Sequence, residues 1–123
     1  MVLVDTSVWV DHLQRTNADL TVLLNSNQVL THPFVVGELA LGSLQQRSVV
    51  IEALSNLPLA TQANDSEVMQ FITANALHGM GIGYVDAHLL AATKLTPTVK
   101  LLTLDKRLQA AAHKLGLGFL ISH

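Results

Sequence analysis

Short apolar runs rich in β-branched residues alternate along the chain with longer segments of helical periodicity, and this alternation limits the possible folds. The apolar runs at residues 2–4, 28–30, 59–60, 99–103 and 118–121 predict strands. The periodicity between them predicts helices at about residues 8–13, 19–25, 33–42, 46–57, 64–77, 84–92 and 105–115. Strands that alternate with helices favour an α/β fold, in which helices cover both faces of a mostly parallel sheet. We therefore expect three layers, α/β/α, around a sheet of four to five strands.

The composition predicts one compact domain over residues 1–123 that has protein partners. Half of the residues are hydrophobic and only 13% are charged, whereas about 25% are charged in an average globular domain. We expect part of so apolar a surface to meet another subunit or protein. The formal net charge of −2 provides no basic excess, which counts against binding to nucleic acid.

The expected compartment is the cytoplasm. The chain reaches the carboxylate of Asp5 after a few apolar residues and has no basic segment before them, so we expect no secretory signal. No apolar run approaches the roughly 18 residues of a membrane helix, and we expect no membrane association. The absence of cysteine is compatible with the cytosol.

Four acidic residues stand in apolar or helix-starting contexts: Asp5, Glu38, Asp86 and Asp105. Asp5 follows the first predicted strand and Asp105 follows the strand at residues 99–103. Ligands of open α/β sheets bind beyond the carboxyl ends of the strands. Glu38 and Asp86 could reach the same edge from their helices, so the sequence suggests one site assembled from distant segments.

Each of these acids also has an ordinary explanation. Asp5 and Asp105 could cap helices, and Asp86 lies in a first helical turn, where the macrodipole favours a negative charge. Glu38 has apolar neighbours and no basic residue between His32 and Arg47, so it must be exposed at a cleft, neutralised or bound to a cation. A shared divalent cation would resolve this problem, and oxygen ligands without cysteine suit Mg²⁺ or Mn²⁺ rather than structural zinc.

Other groups of residues give weaker evidence for a functional site. The six histidines are scattered and show no zinc-binding spacing. His88 lies about 200° around a helix from Asp86, which favours a structural role. Thr6 and Ser7 belong to no Ser/His/Asp arrangement that the sequence supports, and a capping or supporting role suits them better. The glycine-rich stretch at residues 79–83 lacks the order of a dinucleotide-binding motif and has no Walker lysine.

Four segments, in this order and spacing, resemble PIN-domain proteins, and most closely the small VapC-type ribonuclease toxins. They are Val2-Leu3-Val4-Asp5-Thr6-Ser7, Val36-Gly37-Glu38-Leu39, Gly83-Tyr84-Val85-Asp86-Ala87-His88-Leu89-Leu90-Ala91-Ala92 and Leu102-Thr103-Leu104-Asp105-Lys106-Arg107-Leu108. The resemblance covers essentially the whole chain, which would then be a single PIN domain.

The resemblance implies an acidic metal site formed by Asp5, Glu38, Asp86 and Asp105. It also implies that the hydroxyl of Thr103 supports this site, and Thr6 or Ser7 could help in the same way. The implied activity is that of an endoribonuclease that uses Mg²⁺, with Mn²⁺ as an alternative, to activate a water molecule against an RNA phosphodiester bond. One ion or two remain possible.

The resemblance further implies a homodimer that a VapB-like antitoxin inhibits by placing a basic side chain in the acidic pocket. Basic residues that could contact the RNA backbone are Arg15, Arg47, Lys94, Lys100, Lys106 and Arg107.

Two alternatives stay open at the level of sequence. One is a PIN-like binding or regulatory protein without significant catalysis. The other is a Mg²⁺-binding receiver-type signalling domain, which the acids disfavour because Asp5 stands alone after the first strand.

Overall fold

The computed structural model describes residues 1–120 and contains a parallel sheet of three strands. β1 (Val2–Val4) lies in the centre, between β2 (Val29–Leu30) and β3 (Lys100–Leu102). Leu3 is paired with Leu30 on one side and with Leu101 on the other. All three residues of β1 are buried, so this short strand forms the middle of the core.

Single bridges extend the sheet at both edges. Thr31 pairs with Leu59 beyond β2, and Leu101 pairs with Gly118 beyond β3, both in parallel. The predicted strands at residues 59–60 and 118–121 are therefore one bridge each, and residue 121 lies outside the described residues. Pro58 has no N–H with which to extend the first of these ladders, and the glycine weakens the second.

Helices fill the segments between the strands, as the periodicity predicts. They are α1 (Thr6–Arg15), α2 (Ala18–Asn25), α3 (Pro33–Ala40), α4 (Arg47–Ser55), α5 (Asp65–Ala74), α6 (Tyr84–Leu95) and α7 (Lys106–Lys114). Pro33 opens α3 at its first position, where a proline costs no hydrogen bond. Asn64 and Glu67 cap α5 reciprocally, with bonds of 2.8 and 2.9 Å.

The α6 helix is the most deeply buried of these helices, since every residue from Ala87 to Thr93 is buried. Leu89 and Leu90 have no exposed surface. This burial fixes the start of α6, and therefore Asp86, relative to the sheet. None of the helices in residues 1–120 is long and apolar enough to cross a bilayer.

The strands β1 and β3 end at the same edge of the sheet because they are parallel and in register from Val2 to Val4. Asp5 directly follows β1, and Thr103 directly follows β3. The backbone N–H of Asp5 donates to the carbonyl of Leu102, with a length of 2.9 Å, so pairing continues to this point. The two strand ends thus bring residues about a hundred positions apart into contact.

Candidate metal centre

Asp5 is a buried carboxylate held by two hydroxyl groups. Its side chain is 6% exposed, and its Oδ2 accepts hydrogen bonds of 2.7 Å from Ser7 Oγ and 2.7 Å from Thr103 Oγ1. The backbone of Asp5 occupies the N-cap position of α1, yet the side chain makes no capping bond. Helix capping therefore does not explain this carboxylate.

Ser7 and Thr103 connect the turn after β1 with the turn after β3. Their hydroxyl oxygens lie 3.2 Å apart. Ser7 Oγ accepts from the backbone N–H of Leu104 at 3.0 Å, and Thr103 Oγ1 accepts from that of Asp105 at 3.0 Å. Gln109 Nε2 donates to the carbonyl of Thr103 at 2.7 Å. This network fixes the orientation of Asp5 before any ligand binds.

Glu38 is exposed, and its Oε1 accepts a 2.7 Å hydrogen bond from Thr6 Oγ1 at the start of α1. Among the three possibilities that the sequence leaves for Glu38, exposure at a cleft is the one observed. The cleft lies between α1 and the end of α3, and its lining includes Leu13 and Gly42.

Asp105 and Asp86 stand at the starts of two helices. Asp105 caps α7, because its Oδ1 accepts from the backbone N–H groups of Arg107 at 2.9 Å and Leu108 at 3.0 Å. Asp86 lies in the first turn of α6, where its Oδ2 accepts from the backbone N–H of Gly83 at 3.1 Å. In each of these two residues, one carboxylate oxygen caps the helix, as the ordinary explanation predicts, and the other oxygen does not.

The electrostatics of Asp86 link the four acids. Burial raises the pKa of Asp86 most, and the negative charges of Asp5, Asp105 and Glu38 raise it further, against an opposing hydrogen bond from Gly83. The other three carboxylates are therefore close enough to act on this one. The structure brings all four predicted acids to the carboxyl edge of the sheet.

Each of the four carboxylates has one oxygen in hydrogen bonds, and the other oxygen has no hydrogen-bond partner among residues 1–120. The committed atoms are Asp5 Oδ2, Glu38 Oε1, Asp86 Oδ2 and Asp105 Oδ1. In the described part of the chain, no three acidic or imidazole groups are already gathered as a metal-binding cluster. Mutual repulsion among four uncompensated carboxylates favours such separation.

The three hydroxyl residues suggested by the sequence all touch a member of the acidic group. Thr6 donates to Glu38, whereas Ser7 and Thr103 both donate to Asp5. Gln109 was not predicted, although it clamps the turn that carries Thr103. Gln109 lies four residues after Asp105, so the predicted helix at residues 105–115 already places it one turn from the site.

Comparison with known proteins agrees with this architecture. The family model described as PIN domain matches residues 2–114. Two curated relatives, both named Ribonuclease VapC32, come from Mycobacterium tuberculosis strains CDC 1551 / Oshkosh and ATCC 25618 / H37Rv. Each is 44% identical to this chain over 118 residues, which cover 96% of the chain and 95% of the relative. These matches exclude the receiver-type alternative. The chain therefore belongs to the PIN-domain family and, within it, to the VapC-type proteins.

Proposed function

We propose that this chain acts as a single PIN domain with metal-dependent endoribonuclease activity, the toxin of a VapBC-type pair. Asp5, Glu38, Asp86 and Asp105 would be the metal ligands, and Thr6, Ser7 and Thr103 would support them. The observation that carries this proposal is the buried carboxylate of Asp5, which the hydroxyls of Ser7 and Thr103 hold at the carboxyl edge of the sheet. The ribonuclease names of the two relatives support the substrate class.

The residues fit a hard divalent cation. The acidic group offers only oxygen donors, and the chain has no cysteine. His88 follows Asp86 by two residues, but its Nε2 forms a 3.1 Å hydrogen bond with Asp65 Oδ1 and is therefore not part of the acidic group. Such a donor set suits Mg²⁺ first, with Mn²⁺ as the alternative. When bound, the cation would lower the pKa of a water molecule and offset negative charge on the phosphoryl oxygens.

The protein side chains have separate tasks in this proposal. Ser7 and Thr103 hold Asp5 in one orientation, and Thr6 does the same for Glu38. The uncommitted oxygens of the four acids would hold the cation. Burial and the charges of the other three acids raise the pKa of Asp86, and a bound cation would oppose that shift.

Cleavage of RNA by the purified, antitoxin-free protein tests the proposal. A mixed pool of structured cellular RNAs would be incubated with Mg²⁺, with Mn²⁺ or with chelator. We expect cutting with either metal, none with chelator, and loss of cutting in Asp5→Asn. Asp19→Asn is the matched control, because Asp19 lies in the first turn of α2 and outside the acidic group. It should cut like the wild type.

Two results would contradict the proposal in different ways. Cutting that survives in chelator or in Asp5→Asn would remove the metal or that residue from the mechanism. Intact metal binding without cutting of any RNA would favour the alternative of a PIN-like binding protein without catalysis.

The partners belong to the same proposal. We expect a homodimer, a VapB-type antitoxin as inhibitor and the cytoplasm as the site of action. Exposed apolar residues support protein partners: Leu41 is 91% exposed, Val22 64% and Val49 61%. Sedimentation velocity of the purified chain tests the dimer, and a monomer at all concentrations would contradict it.

A further inference from the structure

The two exposed aromatic side chains among residues 1–120 pack against the same buried histidine, His88. The chain has five aromatic residues, of which Phe34 is 38% exposed and Tyr84 is 46% exposed. Trp9 is buried, and Phe71 and Phe119 pack partly buried against the core. Exposure of these rings is therefore concentrated at one place on the surface.

Both exposed rings rest on the same buried imidazole. The ring centroids of Phe34 and His88 lie 4.7 Å apart, and those of Tyr84 and His88 also lie 4.7 Å apart. His88 is 3% exposed, and its Nε2 lies 3.1 Å from Asp65 Oδ1. Tyr84 donates its hydroxyl hydrogen to the same oxygen at 3.0 Å. The rings are thus held in place without being covered, and we call Phe34 and Tyr84 the aromatic pair.

One ring of the aromatic pair, Phe34, shares a helix face with an acid of the proposed site. Phe34 precedes Glu38 by four residues on α3, which places the two side chains on one face about 5–6 Å apart at their Cβ atoms. Tyr84 precedes Asp86 by two residues in the first turn of α6, so its side chain leaves the helix about 200° around from that of Asp86 and packs against His88. Phe34 is therefore the member of the aromatic pair that connects it to the acidic site.

Charge alone gives this protein little attraction for RNA. The chain has seven Lys and Arg against nine Asp and Glu, and four of those acids face the region where a phosphate would react. Stacking of bases on aromatic rings requires no net charge and tolerates any sequence. Recognition of unpaired RNA commonly relies on such stacking.

We propose that the aromatic pair binds one unpaired base of the RNA substrate, in a nucleotide that adjoins the phosphate at the acidic site. This inference rests on the proposed function and names a substrate subsite for it. The pair would direct the enzyme to single-stranded or looped RNA, because a base inside a duplex cannot leave its stack without cost.

Binding of a short, labelled, single-stranded oligoribonucleotide tests the subsite without the need for cutting. The measurements would use the Asp5→Asn background with Mg²⁺. We expect Phe34→Ala and Tyr84→Ala each to raise Kd by about 5- to 150-fold, which corresponds to about 1–3 kcal/mol at 1.4 kcal/mol per tenfold. Phe34→Tyr and Tyr84→Phe keep a ring and should stay near the Kd of the background protein. Val22→Ala, which removes an exposed apolar group on α2, is the matched control.

A cycle with abasic oligonucleotides separates stacking from structural damage. When an abasic position is moved along the oligonucleotide, binding should weaken at one position only. With the abasic site at that position, the Ala variants should cause no further loss of affinity. Equal binding by all variants, or additive losses at every abasic position, would overturn the subsite and leave a protein partner as the occupant of the rings. Binding through the rings by a wild-type protein that cuts no RNA would support the subsite and reject the proposed hydrolysis.

Discussion

The charges of the other three acids disfavour the ionised form of Asp86. Its pKa is raised above 3.8 by burial and then by the charges of Asp5, Asp105 and Glu38. A carboxyl group whose folded-state pKa exceeds its unfolded-state pKa contributes stability that is fully present below the unfolded pKa. That contribution is lost as the pH rises through the folded-state pKa, so near neutrality Asp86 opposes folding of the metal-free protein.

Asp86→Asn should therefore stabilise the metal-free protein while abolishing cleavage. We expect a higher Tm than the wild type at pH 7 in chelator, because the amide cannot carry the repelled charge. Addition of Mg²⁺ should raise the Tm of the wild type more than that of the variant. Calorimetry in chelator and in Mg²⁺ measures both effects. An equal rise in both proteins would show that Asp86 is not a ligand.

His32 predicts a second dependence of stability on pH. Burial, followed by the neighbouring His88, lowers the pKa of His32 from 6.5 to about 4. Between pH 4 and pH 6.5, His32 is therefore protonated in the unfolded chain but not in the folded chain. The contribution of His32 to the free energy of unfolding should be complete above pH 6.5. It should fall by about 3 kcal/mol as the pH drops towards 4.

His32→Asn tests this dependence. The imidazole Nδ1 of His32 accepts from the backbone N–H of Phe34 at 3.0 Å as the cap of α3, and asparagine can accept the same bond. Urea unfolding at several pH values from 4 to 7 should give a shallower loss of stability for the variant. Parallel curves for the two proteins would contradict the assignment.

The sequence singles out the four acids, and their role as metal ligands stays a prediction; their surroundings could not be predicted. An acid in an apolar stretch without a nearby cation signals a special environment, as Glu38 illustrates. Which hydroxyl meets which acid depends on how α1 sits against β3, and local patterns contain no such information. The contact of Phe34 with His88 likewise depends on the packing of α3 beside α6.

At the scale of elements, the loop before α6 contains two glycines with positive φ, Gly79 and Gly81. Gly81 has a φ of +77°, a conformation that side-chain-bearing residues rarely adopt. A Cβ atom at this position would lie 2.8 Å from Arg107 Cδ. The Arg107 side chain thus lies directly against the loop, next to the cap of α7.

Gly81→Ala should destabilise the protein and displace Arg107. We expect a loss of about 1–2 kcal/mol in the free energy of unfolding from the backbone alone. Gly37→Ala is the matched control, because Gly37 is inside α3 and a Cβ there meets nothing within 4 Å. That change should stabilise the protein by about 0.5–1 kcal/mol. Urea unfolding of both variants measures the difference, and equal signs would contradict it.

The helices and inner strands follow from periodicity, whereas the outer strands do not. The predicted helix at residues 46–57 forms as α4 from Arg47 to Ser55, and Pro33 opens α3 as predicted. Leu13, which follows the buried Trp9 by four residues and therefore shares its helix face, is nevertheless 39% exposed. It lies near the end of α1, beside an apolar groove that also contacts Trp9 and Leu54. Long-range packing decides such positions.

At the scale of the whole molecule, few positive charges are available to RNA. Of the seven Lys and Arg, four already donate hydrogen bonds: Arg15 to Asp11, Arg47 to Ala40, Lys100 to Gly116 and Lys114 to Asn75. Lys94 lies in the last turn of α6, far along the helix from Asp86. Lys106 and Arg107 remain, and both follow Asp105 directly.

RNA binding should therefore depend only weakly on salt. Two phosphate contacts on a single strand predict a slope of about −1.4 in a plot of log K against log salt concentration. Titration of the labelled oligonucleotide at several salt concentrations measures this slope. Lys106→Ala should make it shallower by about 0.7, whereas Lys94→Ala should leave it unchanged. A slope steeper than about −3 would show that other basic residues participate.

The bond between Asp5 and Thr103 joins residues 98 positions apart, and this separation has a consequence for biosynthesis. A ribosome that has translated the first strand has made one acid of the site, but the partner strand and the last acid emerge only when most of the chain is complete. β1 cannot pair with β3 earlier, and Asp5 cannot be oriented before that pairing. If these acids form the proposed metal site, the protein would remain inactive while its own messenger RNA and ribosome are closest to it, and would become active only on completion of its fold.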